Sequence, residues 1–139
     1  MTNSTPPRSL AREIPRLTLI AIGLMAILVV LHILYMVVYG HLLNPGQPAA
    51  HYPAHALASA PWFSTLVGAP LFFLAGRRLV RRAGPRGMAE AMLLATIYVA
   101  IDVAFLIGAG GAFHWSFGLA MVSKVVAAYA GARTMRQNS

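Results

Sequence analysis

An all-α membrane protein, a bundle of four transmembrane helices joined by short loops, is predicted by three features of this 139-residue chain. Hydrophobic residues make up 58% of the chain and charged residues only 10%, whereas a soluble domain carries about 25% charged residues. The apolar residues form long runs of about 20 residues, which is the length a helix needs to cross a hydrocarbon core about 30 Å thick. With one exception, Lys and Arg lie outside these runs.

Each apolar run predicts one membrane-spanning helix, and the helices are expected at residues 17–39, 57–76, 88–109 and 113–132. Pro61 falls in the first turn of the second helix, where proline is tolerated, and Pro70 falls inside that helix. The chain is therefore read as a single transmembrane domain, residues 17–135, which follows a basic tail at 1–16. We expect that tail to be poorly ordered, and a short C-terminal tail at 136–139 completes the chain.

The positions of the basic residues predict the orientation of the bundle. Neither the loop at 40–56 nor the turn at 110–112 contains Lys or Arg, and both tails are basic. Both termini are therefore expected on the cytoplasmic side, in a bacterial inner membrane given the ratio of ten Arg to one Lys. No nucleic-acid partner is expected. Five arginines between the second and third helices are expected to contact anionic lipid headgroups: Arg77, Arg78, Arg81, Arg82 and Arg86.

Two charged residues lie deep inside apolar runs. Asp102 is on the third predicted helix and Lys124 is on the fourth, and a charge at the bilayer centre costs about 2.5–3.5 kcal/mol on insertion scales. The short turn between these helices makes them antiparallel neighbours, so the two side chains lie at nearly the same depth and lean towards each other. The pattern predicts an interhelical Asp102–Lys124 ion pair, with a deprotonated Lys124 as the alternative.

Further polar residues are expected near this pair. His32 on the first helix is expected at the depth of Asp102, and Tyr35 shares the face of His32. Tyr98 shares the face of Asp102 on the third helix, and these three residues extend the predicted intramembrane cluster of Asp102 and Lys124. Four more histidines are expected on the outer side: His41, His51, His55 and His114. Because Pro53 argues against a continuous helix through His51 and no carboxylate lies in this loop, we expect no metal site there.

The sequence favours a non-enzymatic function. It has no cysteine, which excludes disulfides and thiol chemistry, and it has no P-loop, GxGxxG, HExxH or Gly-x-Ser-x-Gly motif. No cofactor is expected. The leading hypothesis is a bundle that self-associates or serves as an accessory subunit of a membrane complex, with the Asp102–Lys124 pair fixing helix packing. The alternative is a transporter of protons or small solutes that uses Asp102, Lys124 and His32 as a relay.

Overall fold

The protein is helical throughout the part of the chain that the computed structural model describes, which is residues 10–108, 110 and 114–137. No strand occurs within these ranges. The long helices are α1 (Ile14–Val38), α2 (His51–Ala83), α3 (Gly87–Gly108) and α4 (Trp115–Gln137). The all-α prediction is confirmed for the described residues. Residues 109 and 113, predicted as ends of the third and fourth helices, lie outside them.

The helical structure begins well before the predicted start of the first helix. A 3₁₀ turn, Leu10–Glu13, leads directly into α1, so residues 10–16 are helical rather than a poorly ordered tail. Arg16 explains this extension, because its guanidinium contacts the carboxylates of both Glu13 and Glu90. Glu90, only 5% exposed, lies in the first turn of α3. This charge-assisted contact fastens the start of α1 to the start of α3.

The second helix extends beyond its apolar run at both ends. It was predicted at 57–76, but α2 continues from His51 to Ala83 and contains both Pro61 and Pro70 in its interior. Hydropathy marks the apolar part of a helix, whereas the helix itself continues wherever backbone hydrogen bonds can be made. Pro53 is compatible with the early start, since the first turn of a helix has no intrahelical partner for its N–H groups.

Two loop predictions therefore need correction. The segment at 40–56, predicted as a loop, is largely helical: a π-helical turn covers Tyr39–Leu43, and α2 has begun by His51. The segment at 77–87 is not a loop either. Four of its five arginines lie on the last two turns of α2, and only Arg86 lies in the short 3₁₀ turn Gly84–Arg86.

This 3₁₀ turn reverses the chain. Gly84 has a positive φ of 57°, a conformation that glycine adopts without steric cost. Gly87 then abuts the backbone of Val80, and further along the hairpin the Phe72 ring lies 4.8 Å from the Tyr98 ring. These contacts make α2 and α3 an antiparallel pair.

The closest packing in the bundle joins α2 to α4. A Cβ atom on Gly76 would collide with the Ala128 carbonyl, and one on Gly131 would collide with the Phe73 carbonyl. The two backbones approach so closely because glycine occupies both positions, as is common between membrane helices. The other helix pairs are α1 with α3, α1 with α2, α2 with α3, and α3 with α4.

Many large apolar side chains point outward from this bundle. Leu19, Val30 and Leu34 on α1, Leu66 on α2 and Ile107 on α3 are each more than half exposed. By length and composition, three helical stretches among the described residues could cross a membrane: 10–43, 51–108 and 115–135. The middle stretch contains both α2 and α3. An apolar exterior on long apolar helices is what a lipid environment requires.

Candidate functional site

Lys124 lies at the centre of the candidate site. Its side chain is fully buried on α4, with an exposed fraction of 0%. Gly68 of α2 makes room for the aliphatic stem, since a Cβ at that position would lie only 3.0 Å from the Lys124 Cε. The Nζ atom lies 4.9 Å from the centre of the Tyr98 ring, within the range of a cation–π contact.

Asp102 of α3 supplies the carboxyl group beside the Lys124 side chain. Lys124 Nζ donates a hydrogen bond to Asp102 Oδ2 over 3.5 Å, at the long end of ion-pair geometry. The Asp102 side chain is 30% exposed, so it retains surface that faces away from the lysine. On the same helix Ala95 and Tyr98 are buried, whereas Phe105, one turn after Asp102, is 68% exposed.

Asp102 faces a cavity of about 180 Å³ in the part of the bundle that lies towards the 44–50 connection. All four helices contribute to its walls, and most of the lining is apolar or aromatic. The polar side chains that line it are His32, Ser64, Tyr98 and Asp102. His32 and Asp102, predicted to share a cluster, thus line one cavity. Each also has a partner on another helix.

The partner of His32 belongs to a series of contacts between α1 and α2. His32 Nε2 lies 3.1 Å from the Ser59 hydroxyl, and one turn further along α1 the Tyr35 hydroxyl lies 2.9 Å from His55 Nε2. Tyr35 was predicted to join the cluster around Asp102. It is instead part of this series, because the antiparallel course of the helices brings His55 opposite it.

Tyr39, in the π-helical turn that follows α1, completes the series, which we call the Tyr–His ladder: His32, Tyr35 and Tyr39 with His51, His55 and Ser59 on α2. The Tyr39 hydroxyl accepts a hydrogen bond from the Asn44 amide at 2.9 Å and lies 3.0 Å from His51 Nε2. The tautomer of His51 decides whether Tyr39 donates to its Nε2 or accepts from it. The Tyr39 ring also stacks on the His55 ring, with centres 3.7 Å apart.

The two remaining histidines, which the sequence predicts on the outer side, are separate from the ladder. His41, in the π-helical turn, and His114, just before α4, are both exposed. His41 lines a second, more open groove of about 680 Å³, which it shares with His32 and Tyr52. Among the residues that the structure describes, no three His, Asp or Glu side chains are placed to hold a metal ion.

The arginines near the end of α2 form a separate surface. Arg77, Arg78 and Arg81 line a shallow pocket of about 400 Å³ together with Leu74 and Met135. Guanidinium groups beside apolar side chains fit the headgroup and upper acyl region of an anionic lipid. Contact of this set with lipid, including Arg82 and Arg86, stays a prediction.

Sequence reasoning did not identify several residues of the site. Ser59, Ser64 and Gly68 lie on α2 at positions that a hydropathy profile treats as unremarkable. Spacing could have indicated the first of them, since Ser59, His55 and His51 follow one another at intervals of four on one helical face. That face became recognisable only once α2 was known to begin at His51.

The geometry allows two kinds of chemistry, packing of a charged pair and binding or proton exchange in an adjoining polar cavity. The groups that could take part are Asp102, Lys124 and His32, with Tyr98 against the lysine.

Comparison of the chain with protein-family models, curated proteins and solved structures finds no match.

Proposed function

We propose that this chain is a non-enzymatic bundle of four transmembrane helices that associates with itself or with a larger membrane complex. Asp102 and Lys124 lock the relative position of α3 and α4 within it. The complete burial of Lys124 supports the lock within this proposal. A buried lysine that meets Gly68 on one side and Tyr98 and Asp102 on the other tolerates only one arrangement of the three helices.

The proposed topology has four crossings with both termini in the cytoplasm. It is supported by the chain reversal at Gly84 and by the arginines near that turn, which belong on the cytoplasmic face. A cytoplasm-active reporter, such as green fluorescent protein, fused after Ser139 is expected to be active. A periplasm-active reporter fused at Gln47, in the 44–50 connection, is expected to be active as well. The opposite result at either point would contradict this topology.

A double substitution tests the lock. Asp102→Leu leaves the buried Lys124 without its partner, and Lys124→Leu does the same to the partly exposed Asp102, so each single change should lower the melting temperature in mild detergent. Together they replace the pair by apolar side chains and should recover most of the loss, because no unpaired charge remains. If the melting temperature of the double variant falls by the sum of the two single-variant decreases, the two residues do not act as a pair.

A specific observation favours proton or solute transport as a second candidate function. His32 lines both the groove that contains His41 and the cavity that contains Asp102, so it connects the two spaces. The Asp102→Leu/Lys124→Leu variant separates the two candidates. If the relay operates, the native protein should move protons across liposomes under a membrane potential, and the folded double variant should not. A proton flux of the native protein equal to that of protein-free liposomes would exclude transport and leave the structural lock as the remaining candidate function.

A further inference from the structure

The cavity beside Asp102 has the size and lining of a ligand-binding site. At about 180 Å³ it is comparable to an engineered cavity of about 150 Å³ known to bind benzene. Aromatic rings line it on three helices, from Phe63 of α2, Tyr98 of α3 and Phe117 of α4. Its volume and walls therefore suit one six-membered ring.

The charges around the cavity restrict the ligand further. Asp102 lines the wall, and its carboxylate disfavours an anion there. Lys124 Nζ, 3.5 Å from the same carboxylate, already supplies the positive charge, so a cationic ligand would gain little from Asp102 and would be repelled by the lysine. A carboxylate oxygen can still accept a hydrogen bond on its exposed side, which favours a neutral ligand with one strong donor.

We propose that this cavity binds a small neutral aromatic alcohol of the phenol class, whose hydroxyl donates to the Asp102 carboxylate while its ring packs against Phe63 and Phe117. This assignment goes beyond the orientation lock and does not depend on it. The ring could be that of a free phenol or that of an amphiphile dissolved in the bilayer. Val29, at the cavity wall, is 53% exposed, so the site opens towards the surface of the bundle.

Binding of 4-fluorophenol to the full chain in lipid nanodiscs, followed by ¹⁹F NMR, tests the proposal. The matched compound is 4-fluorotoluene, which has the same shape but a methyl group in place of the hydroxyl. Since hydrogen bonds to charged groups are the stronger ones, the phenol should bind about tenfold tighter or more. Equal affinities for the two compounds, or no binding by either, would overturn the assignment.

A cavity-filling substitution locates the bound ring. Ala60 lines the cavity, so Ala60→Leu should fill part of it and abolish saturable binding of 4-fluorophenol. The control is Ala104→Leu, at an exposed position on α3, which should bind like the native chain. Equal binding by both variants would place the phenol elsewhere. The comparison of the two fluorinated compounds uses the native chain and holds even if Ala60→Leu fails to fold.

Competition by 4-heptylphenol distinguishes the two sources of the ring. If the heptyl chain strengthens binding beyond its effect on partition into protein-free nanodiscs, the site takes an amphiphile from the bilayer. If the chain weakens binding, the site takes a free phenol. Either result supports the site, whereas failure of both unsubstituted phenol and 4-heptylphenol to compete with bound 4-fluorophenol would contradict a common site.

Discussion

Replacing Lys124 by Ala should destabilise the protein by about 3–5 kcal/mol, the range measured when one partner of a buried ion pair is removed. Two effects add. Asp102 loses the only cationic group that the structure places beside it among the described residues, and the fully buried stem leaves a void against Gly68. Because Asp102 is 30% exposed and can gain water, the loss should lie towards the lower end of the range.

Lys124→Met separates the two effects. Methionine is long and apolar, so it fills most of the space of the lysine stem while removing the charge. The Met variant should therefore be more stable than the Ala variant and less stable than the native chain. Arg133→Ala, at an exposed position on α4, serves as the control and should change stability by no more than about 0.5 kcal/mol.

These free energies are measurable by unfolding in mixed micelles, with the helical signal in circular dichroism followed as the fraction of SDS increases. Lys124→Ala with a midpoint equal to that of the native protein would contradict the structural importance of the lysine. Equal destabilisation by Ala and Met would assign the whole effect to the unpaired carboxylate and none to the void.

The second large effect is expected at the contact between α2 and α4. Gly131→Ala introduces a methyl group where the Phe73 carbonyl already lies, so α4 must move away from α2. Overpacking of this kind costs about 1–3 kcal/mol, and this helix pair has the most extensive contact in the bundle. The Gly131→Ala variant should unfold at a clearly lower SDS fraction. Gly76→Ala, whose added methyl group would meet the Ala128 carbonyl, should also lower the unfolding midpoint.

A glycine on α1 provides the matched control. Gly23 has no atom of another residue near its added Cβ position, so alanine fits there without moving anything. Alanine is the better helix former by about 1 kcal/mol in water, and Gly23→Ala should leave stability unchanged or raise it. If Gly131→Ala behaved like Gly23→Ala, the close approach of α2 and α4 could not be a determinant of stability.

Residue depth could be read from the sequence because helices have a fixed rise. Asp102 comes seven residues before the predicted end of the third helix, and Lys124 comes eleven residues after the predicted start of the fourth. A rise of 1.5 Å per residue is enough to give the depth of each. For that reason the proximity of Asp102 and Lys124 could be anticipated before any contact was known. Helix ends could not be placed in the same way, because α2 continues into polar residues that hydropathy assigns to loops.

Rotation of each helix about its axis was harder to predict. The sequence places Tyr35 and His32 on one face of α1, but it does not say which helix that face meets. In the structure it meets α2, so Tyr35 contacts His55 and only His32 also reaches the cavity. The close approach at Gly76 and Gly131 depends on the same choice of neighbours, which side-chain packing decides.

By itself, the sequence determined that this is a helical protein with long apolar segments, and that Asp102 and Lys124 are its anomalous charges. Those properties follow from composition and local periodicity, which act along one helix at a time. Only the tertiary structure decided which surfaces meet: Lys124 against Gly68 and Tyr98, the Tyr–His ladder between α1 and α2, and a cavity bordered by all four helices. These depend on contacts between residues far apart in the chain, whose energies arise only when the helices pack together.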